Sequence, residues 1–191
     1  SGHDEIAELR AMLNVMLSSL QKNALMLREL SYIDPLTALW NRRRFREVLS
    51  DELRRVQEEK GKGFGLAFID VDCFKGINDT FGHSAGDVVL RRMGAVLQEQ
   101  LGDADMASRI GGDEFALIVN GAVTEGFCKS RVEKIKAAIR EPYRLKDAEV
   151  QVGTSCGCAV YPCDSDDVRA IRILADHRMY EDKQRSGRSC E

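Results

Sequence analysis

No stretch of this chain stays apolar for the roughly 20 residues that cross a bilayer. No leader with a charged start and an apolar middle opens it. Basic residues are not in surplus: 28 Lys and Arg against 31 Asp and Glu give a net charge of −3, which leaves no electrostatic footprint for nucleic acid. There is no Cys-x-x-Cys, and His3, His83 and His177 are scattered, so nothing has the spacing of a zinc site. No internal repeat or low-complexity tract stands out. These absences predict a cytoplasmic fragment without nucleic-acid or membrane contact, although a longer protein could be anchored upstream. The cysteines Cys73, Cys128, Cys156, Cys158, Cys163 and Cys190 are many for that compartment. Cys156 and Cys158 lie in an apolar run and read as small core residues. Cys190 reads as an exposed thiol, and nothing predicts a disulfide framework.

What is present fits one domain with an added element: 191 residues, 43% of them hydrophobic. Residues Ile6, Leu9, Leu13, Met16, Leu20, Asn23, Leu27 and Leu30 follow a 3-4 spacing. The strictness of that seam favours a coiled coil over a helix packed on its own domain, with Asn23 fixing register at a cost in stability. Pro35 ends the helix, because a residue before proline is pushed out of the α region. The chain therefore divides into a signalling helix over 1–33 and a domain over 34–191. The Ser1-Gly2 start predicts that the natural protein continues upstream, where a sensor domain is expected.

Periodicity maps the domain. Helices are predicted from Asn41 to about Glu59, Ser84 to Leu101, Glu125 to Arg140, and Val168 to about Lys183. Strands are predicted at Phe64 to Val71, in a hairpin of Ala107 to Ile110 and Glu114 to Val119, and over Ala148 to Tyr161. A central hairpin among alternating helices and strands suits a mixed sheet with helices against it, an α/β (α+β) class.

The most informative run is Gly111-Gly112-Asp113-Glu114-Phe115, followed by Ala116-Leu117-Ile118-Val119. Two glycines before a β-forming run suit a tight hairpin turn reaching φ > 0. Such a turn holds two carboxylates close to bare backbone, a good place for divalent cations and a phosphate chain. A second run, Gly65 to Asp72, ends in Asp70 and Asp72, which alternation places on one side of a buried strand. A carboxylate at the end of a core strand is costly unless paired, hydrated or metal-bound. Asp70 with Asp113 and Glu114 gives oxygen donors, which suit Mg²⁺ or Mn²⁺ rather than zinc.

Downstream, the spacing Asp70-x-Asp72-x-Phe74-Lys75-x-x-Asn78-Asp79-x-x-Gly82-His83-x-x-Gly86-Asp87 resembles the nucleotide-binding segment of the GGDEF family of diguanylate cyclases. Asp34-Pro35-Leu36-Thr37, Thr154-Ser155-x-Gly157-x-Ala159, and Ala175-Asp176-x-x-Met179-Tyr180-x-x-Lys183 resemble further family segments, so the likeness runs from about Asp34 to Arg188. The resemblance implies a palm-like, ferredoxin-related fold and condensation of two GTP molecules into cyclic di-GMP with release of two pyrophosphates, across a homodimer. It implies two metal ions held by Asp70, the Val71 carbonyl, Asp113 and Glu114, with Asp113 favoured over Glu114 as acceptor of the 3′-hydroxyl proton. Asn78 and Asp87 would read guanine, beside Phe74. Lys75, Lys183 and Arg188 would hold the triphosphate, although the spacing from Lys183 to Arg188 is five where the family has four. Gly111 and Gly112 would let ribose and α-phosphate approach the backbone. Asp72, Asp79, His83 and Arg109 read as caps, turn bonds and scaffold ion pairs.

One departure matters. Where many relatives carry an inhibitory Arg-x-x-Asp, this chain has Gly102-Asp103-Ala104-Asp105. Without the arginine, strong feedback through that site is not expected. The competing reading is a non-catalytic GGDEF domain that binds GTP or cyclic di-GMP as a switch, and retention of all the signature acids weighs against it.

Overall fold

The computed structural model describes residue 10 and residues 12–20, 32–58, 63–121, 124–145 and 148–185. The chain divides into two units, Ser1–Ile33 and Asp34–Glu191. In the first, residues 12–20 are helical, and Leu13, Met16 and Leu20 of the predicted seam are each more than half exposed. The remaining seam positions, Ile6, Leu9, Asn23, Leu27 and Leu30, lie outside the described residues.

The second unit is built on a five-stranded sheet in the order β1-β3-β4-β2-β7. Its strands are β1 (Trp40–Asn41), β2 (Gly63–Val71), β3 (Met106–Arg109), β4 (Glu114–Gly121) and β7 (Thr154–Tyr161), and β5 (Tyr143–Leu145) pairs with β6 (Ala148–Val150) in a separate ribbon. Only β1 and β3 run parallel; every other pairing is antiparallel. All nine residues of β2 are buried, because this central strand is covered on both faces. That is why it reads as continuous apolar sequence rather than as an alternation.

Its alternate residues feed two cores. Ala67, Ile69 and Val71, with Phe115 and Leu117 of β4, meet α3 (His83–Gln100) and α4 (Glu125–Arg140). Phe64, Leu66 and Phe68, with Ala116 and Ile118, meet α1 (Arg42–Glu58) and α5 (Val168–Arg185). Helix α1 starts where Asn41 Oδ1 accepts the backbone N–H groups of Arg43 and Arg44 at 3.0 and 3.1 Å. Thr124 caps α4 in the same way, accepting the Phe127 N–H at 3.2 Å. Helix α5 lies so close to β7 that a Cβ on Gly157 would strike the backbone of Ala175 and Met179.

Several details depart from the sequence map, among them the short strands β1 and β5. A short helix, α2 (Phe74–Phe81), follows β2. The strand expected over Ala148 to Tyr161 is broken at residues 151–153 into β6 and β7. The hairpin's first strand begins at Met106. No described helix is long and apolar enough to cross a membrane.

Candidate active site

The carboxylates meet at one end of the sheet. Asp70, next to last in β2, stands opposite Glu114, the first residue of β4. The connection from β3 to β4 folds back through Ile110 N–H to Glu114 O at 2.9 Å, and Val71 N–H donates to Asp113 O at 3.2 Å. These bonds hold the acidic turn against the end of the buried strand. Gly111 and Gly112 do not use positive φ, contrary to expectation; among the described glycines only Gly82 and Gly121 do. Gly111 is needed for space instead, because a Cβ there would collide with the Glu114 carboxylate.

Asp70 is 7% exposed. Burial pushes its carboxyl above the ordinary range, and the Lys183 ammonium opposes that shift, while Asp113 and Asp72 add to it. Lys183 Nζ, from the last turn of α5, lies 2.6 Å from Asp70 Oδ1. Partial burial would lower the lysine, but the Asp70 hydrogen bond and charge, with Asp113 and Asp72, hold it above its usual value. The pair is an ion pair in which Lys183 supplies the positive charge that a buried carboxylate requires.

The same stretch of α5 is fastened on its other side. Asp182 Oδ2 accepts from Lys136 Nζ of α4 at 2.8 Å and from Cys156 N–H of β7 at 2.9 Å. Lys136 is 8% exposed. Sequence reasoning missed this link, since Lys136 and Asp182 are separated by 46 positions and neither belongs to a signature.

A second group of the expected residues gathers around Gly86. A Cβ at that position would strike the Asn78 side-chain oxygen and meet the Phe74 ring at 3.0 Å. The missing side chain thus seats Phe74 and Asn78 of α2 against the start of α3, next to Asp87. Asp87 is about half exposed, with Arg91 at 3.9 Å. Lys75 is exposed on α2. Arg188 lies outside the described residues.

Two of the scaffold expectations hold. Asp72, 3% exposed, accepts the Ser155 hydroxyl at 2.6 Å. Arg109 donates to Gly112 O at 2.7 Å and to Asp34 Oδ1 at 3.2 Å, joining the first residue of the domain to the acidic turn. Asp34 in turn accepts from Thr37 N–H and Oγ–H at 2.9 and 2.7 Å. Asp79 and His83 are exposed and, among the described residues, form no such bonds. Cys156 and Cys158 are buried, as expected of core residues. Cys128, Cys156, Cys158 and Cys163 are free, and the exposed-thiol expectation for Cys190 lies outside the described residues.

At the Gly102–Asp105 turn, Asp105 Oδ2 accepts Gly102 N–H at 2.9 Å and Arg131 Nη2 at 2.6 Å. A guanidinium therefore stands beside Asp105 after all, supplied by α4.

The donor chemistry around Asp70 fits a hard divalent cation: carboxylate oxygens on a buried strand end, at a place already occupied by positive charge. Among the described residues, no three Asp, Glu, His or Cys side chains are yet gathered closely enough to hold one.

Comparison with known proteins gives the family. The family described as "Diguanylate cyclase, GGDEF domain" matches residues 31–189. The chain is 33% identical to diguanylate cyclase TpbB of Pseudomonas aeruginosa, over 97% of this chain and 44% of that protein. It is 31% identical to the bifunctional diguanylate cyclase/cyclic di-GMP phosphodiesterase MucR of the same organism, over 95% of this chain and 26% of that one. It thus spans less than half the length of these curated relatives. Among solved structures, the coiled coil and GGDEF domain of DgcB from Caulobacter crescentus, in complex with c-di-GMP, superposes with a TM-score of 0.81 at 27% identity, covering 93% of each chain.

Proposed function

Because the chain belongs to the GGDEF diguanylate cyclase family, we propose that it condenses two GTP molecules into cyclic di-GMP and releases two pyrophosphates. The observation that carries this reading is the Asp70–Lys183 pair at 2.6 Å, facing Glu114 across the strand pairing. It supplies an anion for metal and a cation for phosphate in one place.

Asp87 accepts the N1–H and N2–H donors of guanine, with Asn78 beside it. Adenine presents an acceptor at N1, so it would leave Asp87 facing a lone pair. Lys75 and Lys183 hold the triphosphate, and the bare backbone at Gly112 admits ribose and α-phosphate. Asp70, the Val71 carbonyl, Asp113 and Glu114 would hold Mg²⁺ or Mn²⁺, two ions per site. When bound, such ions polarise the α-phosphate and neutralise the leaving group. The 3′-oxygen of one nucleotide attacks the α-phosphorus of the other. The bond to the β-phosphate bridging oxygen breaks, and Asp113 takes the hydroxyl proton. Repeating the step in the opposite sense closes the ring.

Each domain carries one such constellation, so turnover requires two copies held antiparallel. The segment over 1–33 supplies that association, and the fragment is the output end of a longer cytoplasmic signalling protein. Incubating the chain with Mg²⁺ and either GTP or ATP, with mass analysis of products, tests the reading. Cyclic di-GMP from GTP and no cyclic product from ATP is expected. Binding of GTP without turnover would instead make the domain a switch module.

A further inference from the structure

Helices α1 and α5 leave an open groove of about 580 Å³ over the sheet, within the range of small-molecule sites. Its floor is apolar: Phe45, Leu49 and Phe68 are buried, and Met179 is half-buried. Its rim is basic. Arg42 and Arg46, one turn apart on α1, and Arg172 on α5 border the groove, against the two acids Glu114 and Asp176.

The state of these arginines is distinctive. Other arginines of α1 are neutralised within the helix: Arg43 and Arg44 by Glu47, Arg54 by Asp51, and Arg55 by Glu52. Arg42, Arg46 and Arg172 make no hydrogen bond or ion pair among the described residues. Guanidinia one turn apart are spaced to share one anionic group. The groove has few side chains able to read the edge of a base, so its selectivity would be for charge and for a flat apolar body.

We propose that this groove is a binding site for an aromatic organic anion. The ring system lies on Phe45, Leu49 and Phe68, and the anionic group is held by Arg42 and Arg46, with Arg172 facing it from α5. Glu114 forms part of the wall, so an occupant would lie next to the acidic turn and binding at the two places would be linked.

The proposal does not rest on the cyclase reading, and its test omits both GTP and metal, so either can fail alone. The full chain is titrated with 1-anilinonaphthalene-8-sulfonate and, separately, with uncharged N-phenyl-1-naphthylamine, following fluorescence. Saturation at one sulfonate per chain is expected, with the uncharged probe binding about tenfold more weakly. Arg42→Ala and Arg46→Ala should each weaken the sulfonate several-fold without shifting the thermal midpoint, since both side chains are exposed and have no partner among the described residues. Equal affinity for the two probes, binding indifferent to the arginine substitutions, or no saturable binding would overturn the proposal. So would binding of a glutamate-rich amphipathic peptide where the sulfonate fails, because the groove would then be a protein-docking surface.

Discussion

Lys183 stands on Asp70, so a metal ion bound there, as proposed, would compete with it. Replacing the lysine should therefore have opposite effects on two ligands. In Lys183→Met, calorimetric titration with Mn²⁺ alone should show tighter binding than in the parent, while GTP binding weakens because a phosphate contact is lost. Unchanged Mn²⁺ affinity would mean that Lys183 does not occupy the cation position. Asp34 gives a second test. Burial raises its carboxyl, but hydrogen bonds from Thr37 and the Arg109 guanidinium outweigh that and hold it below the ordinary value of 3.8. A carboxyl depressed by folding contributes stability that is present above its unfolded value and is lost as pH falls through the folded one. Denaturant unfolding should thus lose stability more steeply below about pH 4 in the parent than in Asp34→Asn. Arg131 revises the feedback expectation. Cyclic di-GMP should inhibit weakly, and any non-competitive component should vanish in Arg131→Ala, as inhibition kinetics at several GTP concentrations will show. The meeting of Asp70 with the Asp113-Glu114 turn was legible because each sits inside a spaced motif. Arg131 was not, because it reaches Asp105 from 26 positions away and on another helix.

The last turn of α5 is an element with two anchors, Asp182 to α4 and β7 and Lys183 to β2. Losing one partner of a buried pair strands the other charge, whereas losing both does not. Lys136→Met should cost about 1–2 kcal/mol in denaturant unfolding, because Asp182 is partly exposed and keeps its Cys156 bond, and raise KM for GTP by letting Lys183 drift. The double variant Lys136→Met/Asp182→Leu should recover much of the stability, and Lys136→Arg should restore KM. A purely structural role would leave KM untouched. The long elements were readable from periodicity, since α1, α3 and α4 each carry an apolar stripe under a polar face. Helix α2 was not, because its eight residues include Gly76 and none is fully buried. The break before β7 was hidden for a related reason. Gln151, Val152 and Gly153 sit between strands of similar composition, and the break shows only in the pairing, where Asp72 N–H reaches Gly153 O at 3.0 Å.

At the scale of the whole molecule, one domain holds one Asp70, one acidic turn and one Asn78 and Asp87, while the proposed reaction consumes two nucleotides. The initial rate should rise more steeply than linearly with protein at low concentration, because assembly precedes turnover. Removing residues 1–33 should shift that rise to higher concentration, as should charged residues at Leu13 and Leu20; analytical ultracentrifugation alongside the rates would show both. Activity of the truncated chain that tracks the parent at every dilution would place association elsewhere. All of this depends on Asp70 being the shared ligand at the centre of a cyclising site. The most direct measurement is the initial rate of cyclic di-GMP formation from GTP and Mg²⁺ by Asp70→Asn beside the parent, with matched circular dichroism to establish folding. The substitution removes a charge at constant size, so the account predicts a folded protein with no detectable product. A folded Asp70→Asn protein that retains near-parental turnover would contradict it.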